Sequence, residues 1–290
     1  MPPVPLVPPP DLAERYPPPA RTRTLAVVLD LLAAHVASRM EYRVNFLLGV
    51  VNGLGFQFAG LVFVWAVLHR FPSLGGWAFG EVAFLYALRL LGHSLYAPFL
   101  QNVVGLGELV RTGGLDRLLL RPVHPLLLLV SQTFQVQAVG SALVAGAVFF
   151  AAQAGLGVAW SAPRVAFLLL ALVGAVLIET GVHLFLSTLS VWLLSSKNRL
   201  NMWADGLFSS FGSHPFTVLN QPLQVAFTFV LPLAFVAYFP AAYLLDRRDE
   251  GVIGIQPAFA YASPLVGLIV FASSLAFFEF ALRHYRSTGH

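Results

Sequence analysis

The stretch Glu108–Pro122, ELVRTGGLDRLLLRP, lies between two long apolar segments and is the segment from which the fold can be worked out. Its charged residues are Glu108, Arg111, Asp116, Arg117 and Arg121. The interior of a bilayer does not accept this density of charge, so the stretch predicts a loop at a membrane surface. Residues 108–112 and 115–120 favour helix and are followed by Gly113-Gly114 and Pro122, which predicts two short helices within the loop.

The composition around this loop is that of a membrane protein. Apolar residues make up 58% of the chain, charged residues 10%, and the mean hydropathy is +0.77. A soluble domain carries about 25% charged residues. The chain has no cysteine, which excludes disulfides and thiolate metal sites. The basic residues lie mainly at the ends of apolar segments, so the high pI does not indicate a nucleic-acid partner.

The hydropathy pattern predicts an all-α membrane protein with six transmembrane helices. The spans are predicted at 44–68, 82–103, 126–152, 165–194, 223–245 and 264–282. An amphipathic helix from Thr24 to Arg43 is expected to lie in the membrane interface before the first span. Residues 1–23 are rich in proline and are expected to form a tail without helix or strand, whereas residues 24–290 form the transmembrane domain.

The distribution of Lys and Arg predicts that both termini are cytoplasmic. In that orientation the tail, the charged loop (residues 104–125), the segment 195–222 and the C-terminus hold twelve basic residues, and the outer loops hold four. The segment Ser195–Pro222 is then an inner loop, and its aromatic residues predict a helix lying in the interface.

Two spans carry polar side chains that are candidates for a translocation path. Glu179, His183 and Ser187 share one face of the fourth span, while Arg89 and His93 share a face of the second. A buried carboxylate is costly, so the Glu179 face either lines a substrate path or an intersubunit cavity, or is paired for packing. The helical rise places Glu179 about 10 Å deeper than Arg89, which favours an Arg89 side chain that extends outward over a direct ion pair.

The chain lacks the motifs of an enzyme or a motor. No phosphate-binding GxxxxGK[ST] sequence is present, so the chain is not expected to hydrolyse ATP. HExxH spacing and a GxSxG elbow are also absent. We predict no catalytic residue, no metal site and no cofactor in this chain.

Several stretches in order resemble one family. They are Tyr42–Phe46, Gly75-Gly76-Trp77 with Gly80-Glu81, the charged stretch Glu108–Pro122, Leu231–Val236 with Tyr238–Ala241, and Tyr285–Gly289. From about residue 25 onward the chain resembles the permeases of type-2 ABC exporters, in particular a branch that reads close to ELVRxGxLDxLLLRP in the loop after the second span.

The resemblance implies an exporter complex in the plasma (inner) membrane of a prokaryote. Its partners would be two copies of a separate ABC ATPase, which binds ATP and Mg, a second permease that is identical or related, and membrane lipid, with no nucleic acid. The charged loop would couple the permease to the ATPase, with apolar residues docking and charges fixing the register. The coupling candidates are Glu108, Leu109, Val110, Arg111, Leu115, Asp116, Arg117 and Arg121.

Other interpretations stay open at this stage. The charged loop is also what a solvated inner loop with no partner would look like. Glu179, His183 and Arg89 could serve proton coupling in a secondary transporter or channel without a motor. An intramembrane enzyme and a structural membrane anchor are further alternatives. The sequence does not specify the substrate.

Overall fold

The structure is a computed structural model that describes residues 21–70, 73–192, 199–247 and 257–285. Within these ranges the regular elements are helices, apart from an isolated bridge between Leu74 and Trp77. The predicted tail lies outside the described residues except for its last three positions. The α-helices are α1 (Arg21–Glu41), α2 (Arg43–Arg70), α3 (Phe79–Tyr96), α4 (Leu106–Arg111), α5 (Gly114–Leu119), α6 (Pro125–Val130), α7 (Gln137–Leu156), α8 (Ala162–Trp192), α9 (Arg199–Phe211), α10 (Gln221–Val225), α11 (Tyr238–Leu244) and α12 (Pro257–His284).

Four of the described helices are long and apolar enough to cross a membrane. They include residues 43–66 of α2, the whole of α7, residues 162–189 of α8 and residues 259–284 of α12. A fifth candidate is a pair of helical segments, Gln221–Val230 and Leu233–Leu244, with a 75° bend between them. The second predicted span is shorter than expected, because α3 ends at Tyr96 and a 3-10 helix, Leu100–Gly105, follows. The third is broken between α6 and α7.

Glycines set how closely α2 and α7 pack. A Cβ atom added to Gly140 of α7 would lie 2.1 Å from the backbone oxygen of Val50, and one added to Gly53 of α2 would lie 2.1 Å from the oxygen of Gln137. Gly49 and Gly53 are four residues apart and therefore share one face of α2. Small residues in this spacing let helix backbones approach in a membrane, where dispersion contacts stabilise association.

The helices define two ends of the bundle. The charged loop, with α4 and α5, packs against the C-terminal parts of α8 and α12, and we call this the loop end. The turn around Leu74–Trp77, which joins α2 to α3, marks the opposite end, and we call this the turn end. Arg164, at the start of α8, pairs with Asp246 near the turn end at 2.7 Å.

The segment 195–222 was predicted as an inner loop with an interfacial helix, but its residues 199–218 run along the bundle. Near its start, the Asn201 amide donates to Ser187 Oγ of α8 at 2.8 Å. After α9, the Thr217 hydroxyl donates to the Gly75 carbonyl at the turn end at 2.7 Å. The prediction of an interfacial helix was wrong for α9, because Asn201 is fully buried against α8 and Phe208 packs in the main core.

The segment predicted as the fifth span, 223–245, enters and leaves at the turn end. It follows Thr217, which bonds to Gly75, and it precedes Arg247, whose guanidinium donates to the Gly76 carbonyl and pairs with Glu81. Between these ties lie α10, a π-helical turn (Ala226–Val230), the break at Pro232 and α11. A proline removes a backbone donor and prevents one straight helix. Both ends of the segment therefore lie at the turn end, with a 75° bend between its two halves, and we call residues 223–245 the re-entrant segment.

Alanine at Gly140 is expected to destabilise the protein, whereas alanine at Gly146 on the same helix is not. The added methyl at Gly140 meets the α2 backbone, and such overpacking costs about 1–3 kcal/mol. A Cβ at Gly146 meets nothing within 4 Å, and alanine favours helix over glycine by about 1 kcal/mol. Thermal unfolding of the purified protein should show a lower Tm for Gly140→Ala and an equal or higher Tm for Gly146→Ala. Equal melting of the two variants would contradict the close α2–α7 contact.

Candidate functional site

The charged loop forms two short helices, as the sequence predicts. Helix α4 ends at Arg111, Gly113 adopts a left-handed conformation (φ 68°), and α5 begins at Gly114. A left-handed backbone is accessible to glycine without steric cost, so this residue allows the sharp turn between the two helices. The loop thus presents a compact pair of helical turns at the loop end.

The apolar side of this helix pair is buried in the permease itself. Val110 and Leu115 are 2% and 1% exposed and pack with Leu184 of α8 and Phe278 of α12. Leu109 is partly buried and packs against the same cluster. The predicted docking of Val110 and Leu115 into a partner groove is therefore wrong, because these side chains already form the contact between the loop and the bundle.

The opposite side of the helix pair is exposed and carries charge. Glu108 and Arg111 form an ion pair whose side chains are both more than half exposed. The hydrogen bond from the guanidinium to Glu108 raises the pKa of Arg111. Arg117 and Arg121 are also exposed, as are two large apolar side chains, Leu119 and Leu120. Leu120 is 86% exposed. These six residues form the outer face of the loop.

Polar contacts connect the loop to the C-terminal helix. His124 lies 2.6 Å from Glu279 of α12. Tyr285, the residue after α12, lies near Asp116 of α5. Partial burial is the larger cause that raises the pKa of the Tyr285 phenol, and the Asp116 carboxylate raises it further. Asp116, predicted to fix the register of a partner, thus also contacts the permease itself.

Glu179 lies at the centre of a buried ionic cluster. It is fully buried, and its Oε1 atom lies 3.3 Å from Arg89 Nη2 and 2.6 Å from His93 Nδ1. Arg89 is 6% exposed and also donates from Nε to the Phe208 carbonyl of α9. The prediction that Arg89 extends outward was wrong.

The length of the arginine side chain explains the ion pair. His93 lies beside Glu179, and the ring of Tyr96 stacks on His183 one turn further along. Arg89 precedes His93 by one helical turn, which is about 6 Å. An extended arginine side chain spans that distance, so Arg89 reaches Glu179 along the surface of α3.

His183 connects this cluster to α9. Its Nδ1 lies 3.0 Å from Asn201 Oδ1, and its Nε2 lies 3.3 Å from Asp205 Oδ1 without the alignment of a hydrogen bond. Sequence reasoning missed Asn201 and Asp205, because their segment resembles a loop. The available signal was their spacing: they are four residues apart and share one face of a helix.

The five predicted path residues divide into two groups. Glu179, His183 and Ser187 are fully buried among α3, α8 and α9. Arg89 and His93 line a cavity of about 490 Å³ between α2, α3 and α9, which we call the main cavity. Asp205, Tyr86 and Phe56 also line it. In the described part of the chain, no three His, Asp or Glu side chains are arranged to hold a metal ion.

Comparison with known families identifies the class of protein. A family model described as "ABC-2 family transporter protein" matches residues 54–289. The match covers most of the chain, so the chain belongs to this family and is a membrane-spanning permease of an ABC transporter. Permeases of this family are membrane subunits, and the family implies an ABC ATPase as partner. Neither the search of curated proteins nor the search of solved structures found a match.

Removing one partner of the Glu179–Arg89 pair is expected to destabilise the fold more than removing both. A buried charge left without its partner costs about 3–5 kcal/mol, whereas replacing a pair by apolar residues is often neutral. Glu179→Leu and Arg89→Met should each lower the Tm, and the double variant should recover part of the loss. Glu108→Leu, which breaks an exposed pair, serves as the control and should leave the Tm unchanged. Additive losses in the double variant would show that the two residues are not coupled.

Proposed function

We propose that the chain is the transmembrane permease of an ATP-driven exporter in a prokaryotic plasma membrane. In this proposal it forms an outward path with a second permease, identical or related, and two copies of a separate ATPase drive it through the charged loop. ATP and Mg belong to the ATPase. Membership of the ABC-2 family supports the class of complex, and the geometry of the loop supports the coupling.

The division of the charged loop into two faces carries this proposal. The inner face, with Leu106, Val110 and Leu115 nearly fully buried, fixes the loop to α8 and α12. The outer face presents exposed arginines and leucines that nothing in the described chain covers. A solvated loop does not need a packed core beneath it. A loop that receives force needs one, because a displacement is transmitted only through rigid contacts.

The contacts give a route from the loop to the main cavity. A displacement of α4 and α5 acts on α8 through Leu184 and on α12 through Phe278. Helix α8 carries Glu179 and His183, which bind side chains of α3 and α9. Both α3 and α9 line the main cavity. Movement at the outer face of the loop would therefore change the shape of the cavity.

The proposed topology keeps six crossings but assigns the fifth to residues 199–218 instead of 223–245. Helix α9 and the residues after it run from the loop end to the turn end, as described above. The count of twelve inner and four outer basic residues is unchanged. Lys197 precedes the new crossing and Arg199 begins it, so both stay on the inner side. Both termini and the charged loop are then cytoplasmic, and the turn end is external.

Single-cysteine labelling tests this topology, and the native chain contributes no background because it has no cysteine. Gln221, exposed at the start of the re-entrant segment, should be labelled as Gln221→Cys by a membrane-impermeant maleimide on intact spheroplasts. Leu120→Cys at the outer face of the loop should be labelled only after permeabilisation. If Gln221→Cys is also protected until permeabilisation, residues 199–218 do not cross the membrane.

Leu120→Asp should abolish ATP-driven transport while leaving the permease folded. Leu120 has few contacts within the chain, so its replacement does not disturb the bundle. Losing a central apolar anchor at an interface costs about 2 kcal/mol or more, which is roughly a 30-fold loss of affinity. The measurements are membrane expression, Tm, co-purification of the ATPase and transport. Leu120→Met keeps the apolar surface and should transport normally.

A charge exchange separates partner contact from loop stability. Glu108→Arg breaks the exposed pair with Arg111, and Glu108→Arg combined with Arg111→Glu restores it in reverse. If the charges only stabilise the loop, the double variant should recover transport. If they face the ATPase, it should not. Normal transport by Leu120→Asp together with both charge variants would remove the loop as the coupling element and favour a transporter without a motor.

A further inference from the structure

A second compartment adjoins the main cavity at the loop end of the bundle. It has a volume of about 210 Å³ and shares Phe56, Gln57, His93 and Gln101 with the main cavity. Residues from α2, from the segment after α3 and from the start of α7 line it. Asn102, next to Gln101, fixes these walls by donating to the carbonyls of Val130 and Thr133. We call this compartment the amide groove.

The lining of the amide groove is polar but almost uncharged. Its polar residues other than His93 are Asn52, Gln57, Gln101, Gln135, Gln137 and Ser141. His93 is the ionisable residue of the lining, and it is bound to Glu179 at 2.6 Å. Five amide side chains each offer both a donor and an acceptor. The groove therefore provides hydrogen bonds of both kinds, and among its described lining residues none is Lys, Arg, Asp or Glu.

Some of these amides are held in place and others are available. The Tyr86 hydroxyl donates to Gln57 Oε1 at 3.1 Å, and Gln57 Nε2 donates to Ser141 Oγ at 3.3 Å. Over the described residues, the side chains of Asn52, Gln101 and Gln137 make no hydrogen bond to protein. Asn52 and Gln137 are exposed and Gln101 is partly buried. Each of these three amides can therefore donate a hydrogen bond to a ligand and accept one from it.

The chemistry of the lining selects a class of ligand. An anionic headgroup is best bound by arginine or lysine, and a quaternary ammonium by an aromatic cage or carboxylates. The groove has neither kind of lining among its described residues. Hydroxyl groups both donate and accept, and thus match amide side chains. The apolar surface of α2 beside the groove, including Val51 at 52% exposed and Phe56 at 73%, suits an alkyl chain.

We propose that the amide groove binds the headgroup of an amphiphile that is neutral and carries several hydroxyl groups, while its alkyl chain lies along α2. This assignment rests on the proposed exporter function and names the substrate class of its path. The position at the loop end places the headgroup on the side of the membrane where an exporter takes up its substrate. The adjoining main cavity is the next compartment toward the turn end.

Photolabelling of the full-length chain in lipid nanodiscs tests the assignment. The probe is a dodecyl glucoside with a diazirine on the first carbon of its alkyl chain. Mass spectrometry should find the label on peptides that contain residues 52–57, 97–101 and 135–141. Dodecyl maltoside should compete for this labelling. Dodecyl sulfate and dodecyltrimethylammonium, which have the same chain length and a charged headgroup, should compete at least about tenfold less well, a difference of about 1.4 kcal/mol.

Substitutions in the groove sharpen the test. Gln101→Leu and Gln137→Leu each remove hydrogen bonds of about 0.5–1.5 kcal/mol and should reduce saturable labelling by about twofold to tenfold. Gln153→Leu makes the same change on α7, where Gln153 bonds to Trp160 outside the groove, and should leave labelling unchanged. Melting curves confirm folding. If a groove variant does not fold, competition on the native chain decides the question alone.

The outcomes separate this inference from the coupling proposal, because labelling needs neither ATP nor an ATPase. Labelling spread over all apolar helices, or equal competition by the three headgroup classes, would overturn the headgroup site. Selective labelling of the groove in a chain whose Leu120→Asp variant still transports would retain the site and remove the coupling loop. If labelling does not select the groove and Leu120→Asp loses transport, the headgroup site is overturned and the coupling loop is retained.

Discussion

One buried carboxylate constrains the arrangement of the bundle. Glu179 is fully buried and binds Arg89 and His93 of α3. Its neighbour on the same helix face, His183, contacts Asn201 and Asp205 of α9. A charge in an apolar interior is tolerated only with its partners in place. The cluster therefore fixes the register of α3 and α9 against α8.

The turn end of the bundle depends on a second set of polar contacts. Arg247 pairs with Glu81 and lies over the ring of Trp77. Together with the Thr217 bond to Gly75, it holds both ends of the re-entrant segment at one turn. The segment between them packs Phe235 and Phe239 against Phe259 at the start of α12. The turn end is thus held together by ion pairs, backbone contacts and aromatic packing, while the amide groove lies at the loop end.

Much of the fold follows from composition and local signals, and the errors have a common cause. The long helices α2, α8 and α12 are evident because uninterrupted apolar runs have few alternatives in a membrane. The break at Gly113 is evident because glycine has a local conformational role. The course of residues 199–218 and the bend within residues 223–245 do not follow from hydropathy, which measures only average polarity. Asn201 and Asp205 of α9 contact His183, and the apolar re-entrant segment bends at Pro232, so both features depend on tertiary contacts.

For the site, the sequence predicted several of the residues but not the contacts between them. The sequence indicates that Glu179, His183 and Arg89 matter, since ionisable residues in apolar spans are rare. It does not indicate that they contact one another, because the relative depth of two helices is set by packing. Burial of Val110 and Leu115 was also missed, since two faces of a six-residue helix cannot be assigned without knowing which one meets the bundle. The amides of the groove come from three separate segments and have no common motif.

The separation of the charged loop into two chemical faces has a consequence for evolution. Substitutions at Arg117, Leu119, Leu120 and Arg121 alter only the exposed face, whereas the residues that hold the loop in place lie beneath it. In the proposed complex, where this face contacts the ATPase, the preference for a particular motor protein can therefore diverge without loss of folding. After gene duplication, two such pumps in one cell could become insulated from each other's ATPases through a few surface changes, while their bundles continue to evolve separately toward different cargo.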